Sequence, residues 1–202
     1  SGHNSVGCMP ILEYGSPAQK ERYLRALAQG EMLCAFALTE AKGGSDAGAL
    51  TTRAVRDNDG YVINGAKQFI TTGKNAELTL VFAVTDPDQG KRGISAFIVP
   101  TDTPGYEVVR VEEKMGMNAS DTAQLAFTDM RVPHDALLGE EGQGFRIALG
   151  NLEGGRIGIA AQALGMARSA FEVALEYAQE PEAFSKPIME HQAVAFRLAE
   201  MA

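Results

Sequence analysis

Residues 36–46 read Phe36-Ala37-Leu38-Thr39-Glu40-Ala41-Lys42-Gly43-Gly44-Ser45-Asp46, and the rest of the chain is organised around them. An apolar run of strand length leads to a hydroxyl and a carboxylate, then into a glycine pair closed by Ser45 and Asp46. Gly43-Gly44 permits positive φ and lets a flat or phosphorylated ligand come close to the main chain. Ser45 and Asp46 are suited to hold such a turn through hydrogen bonds from side chain to backbone. Taken alone, the pattern describes a plain turn more often than a cofactor loop, because a double glycine before Ser-Asp is ordinary turn chemistry.

Outward from this stretch the hydrophobic period changes twice. Before it, Ser16-Pro17 is a helix start, a capping hydroxyl followed by proline at the first helical position. The helix is expected to run to about Gly30, with Tyr23, Leu24 and Leu27 on one face. Residues 1–15 hold apolar positions without clear punctuation. From Leu33 onward come short β-branched and aromatic runs at 62–63, 78–84, 94–99, 106–111 and 124–127. Asp57-Asn58-Asp59-Gly60, Asn64-Gly65, Asp86-Pro87 and Pro104-Gly105 supply turn chemistry between them. Short strands without intervening helices predict an antiparallel β-sandwich or barrel. After Gly144 the pattern is helical. Ile157, Leu164 and Phe171 recur every seven residues, with Ala160, Ala167 and Ala174 three positions after each, the pattern of a close-packing helix seam. The remaining helical candidate is 188–202, so the seam implies further helices or another subunit. The expected class is α+β, with helical residues 1–32, a β domain at 33–144 and the start of a helical bundle at 145–202.

Composition narrows the function. Hydrophobic residues make up 45% and charged residues 22% of 202, a soluble globular composition. No apolar run nears the ~20 residues needed to span a bilayer, and no signal-peptide order begins the chain. A cytoplasmic or organelle-matrix location without membrane attachment is the expectation. A net charge of −8 argues against a nucleic-acid partner, which recruits Lys and Arg to phosphates. Cys8, Cys34, His3, His134 and His191 have no metal-site spacing. The cysteines are read as thiols without a chemical role.

Four more motifs follow in order: Asn64-Gly65-Ala66-Lys67-Gln68-Phe69-Ile70-Thr71; Lys114-Met115-Gly116-Met117 with Ser120-Asp121-Thr122; Gly142-Gln143-Gly144-Phe145; and Gly155-Arg156-Ile157. In this order and spacing the set resembles the acyl-CoA dehydrogenase family, flavoproteins that desaturate acyl-CoA thioesters, over nearly all of the chain. The resemblance implies FAD as cofactor, with Phe36, Leu38, Thr39 and Ser45 lining the flavin and Ser45 also near substrate. It implies that Phe69-Ile70-Thr71 covers one flavin face, with Phe69 standing where relatives often carry tryptophan. A residue-level alternative for Thr39 is a hydroxyl bonded to a neighbouring strand. Phe184 and Gln192 match family positions near the flavin or its adenine end. Glu153 and Arg156 would face the acyl-CoA, although Arg156 also suits a helix-surface ion pair. The two glycines before Arg156 each cost about 1 kcal/mol in a helix, which suggests close packing against the backbone.

Removing a proton α to a thioester requires a carboxylate raised in pKa by desolvation. Some family members carry that glutamate just before the arginine, where this chain has Gly155. The resemblance is therefore to the short- or medium-chain type, with the base expected beyond Ala202 and no catalytic residue within the chain. Glu153 lies two positions too early and points about 200° away on the helix. The same resemblance implies that the chain is cut at both ends, with most of an N-terminal helical domain preceding Ser1. It also implies a homo-oligomer, commonly a tetramer, and an electron-transfer flavoprotein as electron acceptor. One departure stands out: Pro181 and Ser185 occupy positions that usually carry Arg and Gly. The arginine approaches the FAD diphosphate, and proline supplies neither charge nor N–H. That departure supports a second reading, a noncatalytic fold relative acting as a structural or acyl-CoA-binding subunit.

Overall fold

The structure is a computed structural model that describes residues 2–202. The chain divides into two compact units, Ser1–Gly155 and Arg156–Ala202.

In the first unit a short π-helix, His3–Cys8, runs directly into α1 (Met9–Tyr14), a segment with no helix signal other than Pro10 in its first turn. The chain then turns into α2 (Pro17–Gln29). The start of α2 is a full capping box: Gln19 N–H donates to Ser16 Oγ and Ser16 N–H donates to Gln19 Oε1. Its end is Gly30 at φ 73°, the left-handed cap that glycine favours. Tyr23 and Leu27 are buried, and Leu24 is half-buried beside them.

Eight strands follow: β1 (Cys34–Ala37), β2 (Arg53–Asp57), β3 (Gly60–Thr71), β4 (Leu78–Val84), β5 (Ile94–Pro100), β6 (Tyr106–Val111), β7 (Thr122–Pro133) and β8 (Leu137–Leu138). The sheet order is β6-β7-β3-β2-β4-β5-β8, with β1 also paired to β4. Most pairings are antiparallel, while β1 runs parallel to β4, as does the one residue pair joining β2 to it. β4 and β5 are buried at nearly every position, because core lies on both of their faces. Alternation along β4 divides its side chains: Val81 and Ala83 join a core with Tyr61, Phe97, Leu125 and Phe127. Leu80 and Phe82 join a second core with Ile11, Leu27, Leu138 and Ile147 from the helices and strand β8.

Two local readings are corrected. Asn64-Gly65 is not a turn between strands but a bulge inside β3, where pairing to β7 slips between Ile63 and Gly65. Gly65 has φ 152°, and a Cβ there would lie 2.5 Å from Thr52 Oγ1, so the motif needs glycine inside a strand. β2 carries no strand signal because only Ala54 of Arg53–Asp57 is buried, which leaves no apolar alternation to read.

Helix α3 (Gly144–Tyr177) starts in the first unit, where Gly142 N–H donates to Ser95 Oγ at 2.9 Å. A Cβ on Gly144 would meet the Ser95 backbone at 2.6 Å, which accounts for the Gly-Gln-Gly-Phe motif as a packing device. Within the second unit, a hairpin of β9 (Glu182–Ala183) and β10 (Lys186–Pro187) precedes α4 (Gln192–Met201). Ile157, Leu164, Ala160, Ala167 and Ala174 of the seam are exposed.

Candidate functional site

A cavity of about 140 Å³ opens where the end of β1 meets the end of β3. Phe36, Thr39, Phe69, Ile70 and Thr71 line it, with Gly2, His3, Val6, Cys34 and Thr72 forming the rest of the wall. Five of the residues expected from the sequence are thus brought together by two separate segments. Phe36 is fixed by its ring contact with Phe82, centroids 4.7 Å apart. Among the described residues, neither the Thr39 nor the Thr71 hydroxyl has a hydrogen-bond partner, so the bond from Thr39 to a neighbouring strand is not formed.

The geometry at Phe69 is unusual. Pairing of β3 with β7 passes from Lys67↔Leu125 to Ile70↔Ala123, leaving Gln68 and Phe69 outside the ladder. Phe69 adopts φ 56° and Thr72 φ 61°, a left-handed backbone that is uncommon for either residue type. Ile70 points inward and is buried, while Phe69 remains 62% exposed. Strained non-glycine residues and an exposed aromatic ring both gather at binding sites.

Next to the lining residues in sequence, and outside the cavity lining, is an arrangement that motif reading missed. The Lys67 side chain is wholly buried (0% exposed), and its ammonium lies 2.7 Å from Glu40 Oε1. It also donates to the Leu38 carbonyl at 3.1 Å. Glu40 accepts from Thr51 N–H and Thr51 Oγ1, each at 2.6 Å, and from Thr52 N–H at 3.1 Å. Burial alone would raise the Glu40 carboxyl, but the Lys67 charge and the Thr51 donors hold it down at about 2. Burial pushes the Lys67 ammonium down to about 8 against the pull of Glu40. The only sequence signal was a glutamate in one and a lysine in the other of the two motifs that form the cavity walls; that they are buried and paired is set by long-range packing.

The remaining expected residues are placed differently. Leu38 is buried in the core with Phe82 and Leu80 and does not line the cavity. Ser45 is exposed and also lies outside the lining. The glycine turn is closed by reciprocal backbone bonds between Glu40 and Gly43, both 3.1 Å, and by Asp46 Oδ1 accepting from Gly48 N–H. Asp46 plays the expected part, Ser45 does not, and neither Gly43 nor Gly44 adopts positive φ. The Lys114 motif is a latch: its ammonium bonds the carbonyls of Met117 and Ser120 and the Thr122 hydroxyl. Asp121 then accepts from Lys74 N–H and Asn75 Nδ2, each at 2.8 Å, and fixes the turn after β3.

Glu153 and Arg156 are exposed on α3, and no ion pair to Arg156 occurs among the described residues. A Cβ on Gly154 would meet nothing within 4 Å and one on Gly155 only Val6 and Ser5 at 3.8 and 3.9 Å, so close packing does not demand either glycine. In the second unit, Phe184 and Ser185 form the two-residue tip of the β9–β10 hairpin with φ 54° and 63°. Phe184 is 93% exposed. His191 Nε2 donates to the Ala183 carbonyl at 2.8 Å, and Gln192 opens α4 at the surface. No group of His, Cys, Asp and Glu among the described residues could hold a metal, and no described helix is long and apolar enough to cross a membrane.

Comparison with known proteins identifies three consecutive matches. Residues 1–31 match the acyl-CoA dehydrogenase N-terminal domain, 35–130 the middle domain and 142–202 the C-terminal domain. The chain is 52% identical over 202 residues to an acyl-CoA dehydrogenase of Bacillus subtilis (strain 168), covering all of this chain and 53% of that one. Butyryl-CoA dehydrogenase from Megasphaera elsdenii superposes with TM-score 0.95 at 46% identity, over 99% of this chain and 52% of the other. A chain from the structure of the electron transferring flavoprotein of Acidaminococcus fermentans superposes with TM-score 0.96 at 47% identity, over 98% and 52%. The chain therefore spans about half the length of the relatives it matches.

Proposed function

Since the chain belongs to the acyl-CoA dehydrogenase family, we propose that it is part of an FAD-dependent enzyme that oxidises an acyl-CoA thioester to the 2-enoyl-CoA. The observation that carries this reading is the cavity of Phe36, Thr39, Phe69, Ile70 and Thr71, with two hydroxyls that have no partner among the described residues. That donor set fits a planar heteroaromatic ring: the aromatic and aliphatic side chains would cover its faces while Thr39 and Thr71 hydrogen-bond its polar edge. When bound there, FAD would accept a hydride from the acyl β carbon. Phe69 and Ile70 would exclude water from that face. Ser45, Glu153 and Arg156 would contact the acyl-CoA, and Leu38 would act from behind by supporting Thr39. Phe184 and Gln192 would meet the flavin or adenine end of a cofactor.

Proton removal needs a carboxylate, and Gly155 offers none. We assign that role to a residue outside 1–202 rather than to Glu153. The proposal includes a homo-oligomer, commonly a tetramer in this family, an electron-transfer flavoprotein as acceptor, and a cytoplasmic or mitochondrial-matrix location. It keeps the division into 1–32, 33–144 and 145–202 as functional domains.

The test is anaerobic addition of butyryl-CoA to the purified full-length protein while its visible spectrum is recorded. Bleaching of a flavin spectrum is expected; a full-length protein that holds flavin yet never bleaches with any acyl-CoA contradicts the reading. Pro181 favours the alternative of a noncatalytic relative. If Pro181→Arg leaves weak FAD retention unchanged, that alternative gains; a sharp improvement supports an enzyme with a weakened cofactor site.

A further inference from the structure

We infer that Lys67 is a positioning residue for the cofactor, tying the Phe36–Thr39 wall of the cavity to the Phe69–Thr71 wall, with Glu40 as the clamp that holds its ammonium in place. The inference rests on the flavin reading above.

Each wall includes a residue where the sheet releases the chain, Thr39 in one and Phe69 in the other, while Phe36, Ile70 and Thr71 stay paired to Leu80, Ala123 and Thr122. The pairing of β1 with β4 ends at Ala37↔Val81, before Thr39. The pairing of β3 with β7 lapses between Lys67 and Ile70, so that Phe69 is off the ladder. What joins the segments instead is a cross-tie: Gln68 N–H donates to the Thr39 carbonyl at 2.9 Å, and Lys67 Nζ donates to the Leu38 carbonyl at 3.1 Å. Thr71 is held by its pairing with Thr122, and this tie is what holds Thr39 and the left-handed Phe69, both off the ladder, relative to it. Glu40 continues the clamp to the next segment, where it accepts from Thr51 and Thr52.

A stability role alone accounts poorly for the arrangement. A buried ion pair recovers little more than its own desolvation cost, and apolar residues of similar size serve a core equally well or better. Here the ammonium is wholly buried and reaches the carbonyl of the residue preceding Thr39, one of two cavity-lining threonines whose hydroxyls have no partner among the described residues. Such a group fixes geometry at a binding site.

The experiment uses the full-length protein, stripped of flavin and reloaded with FAD. The variant is Glu40→Gln with Lys67→Met, which removes both charges together and leaves none buried unpaired; Lys67→Met alone is the companion. FAD dissociation constants, the visible circular dichroism of bound flavin and the thermal midpoint of the flavin-free protein are measured. We expect the double variant to melt within a few degrees of the parent, to bind FAD about tenfold or more weakly, and to show a changed visible circular dichroism band. Parent-like affinity with an unchanged band overturns the inference. So does a loss of affinity that merely follows a collapse of the thermal midpoint, which would make the pair a stability element. A parent protein that takes up no FAD overturns the flavin reading itself, a result distinct from the other two.

Discussion

At the scale of single residues, Glu40 gives the clearest linkage between charge and stability. Its carboxyl is held at about 2 in the folded chain against an ordinary value of 4.5. A group depressed in this way contributes stability that is present above its unfolded value and is lost as pH falls through the folded one. Lys67, pushed down to about 8, is protonated in both folded and unfolded chains throughout the acid range and adds nothing there. Unfolding free energy should therefore drop by on the order of 3 kcal/mol between pH 4.5 and pH 2 on account of Glu40. Denaturant titrations at several pH values check this: the Glu40→Gln, Lys67→Met double variant should show a flatter acid limb, and a limb as steep as the parent's would contradict it. Ser185 offers a second test. It sits at φ 63° in a hairpin tip where glycine is unstrained. Ser185→Gly should stabilise that hairpin by about 0.5–1 kcal/mol, read as slower local hydrogen exchange in the variant. Slower exchange in the parent than in the variant would show the position to be unstrained.

Among elements, α2 shows how much a local signal can settle. Ser16-Pro17 and Gly30 mark both ends, and the structure realises them as a capping box and a left-handed cap. Gln19 does more than cap: its Nε2 donates to the carbonyls of Asp135 at 2.7 Å and Leu137 at 2.9 Å, docking the helix on the chain between β7 and β8. Ser16→Ala should cost about 1 kcal/mol, and Gln19→Ala more, because it also strips two part-buried carbonyls of a donor; thermal unfolding that ranks them the other way would refute the docking role. The strands 78–84 and 106–111 are legible for a similar reason, since their β-branched runs coincide with full strands. β3 and β7 extend well past their apolar runs, because their polar residues, the buried Lys67 excepted, lie on exposed or half-buried positions and apolar pattern marks only the buried ones. Asn64-Gly65 reads as a turn because bulge and turn share the same residue chemistry, and only the partner strand decides between them. At the cavity, the side chains Phe36, Thr39, Phe69, Ile70 and Thr71 can be named from motif resemblance. The left-handed Phe69 and the Lys67–Glu40 pair cannot, because both depend on long-range packing.

At the scale of the molecule, the first unit assembles a cavity from segments about thirty residues apart, on a sheet whose strands β4 and β5 are buried on both faces. The second unit exposes a seam of Ile157, Leu164 and alanines. On the proposed assignment of the base to a residue outside 1–202, those residues expressed alone should be inert toward acyl-CoA; measurable turnover would refute this and direct attention to Glu153. The most direct test of the central claim is the visible spectrum of the full-length protein, recorded with FAD and then with butyryl-CoA in the absence of air. The account predicts a bound flavin spectrum that bleaches on addition of the thioester. Failure to take up flavin even with FAD in excess would contradict it, because the cavity between Thr39 and Thr71 would then serve some other ligand.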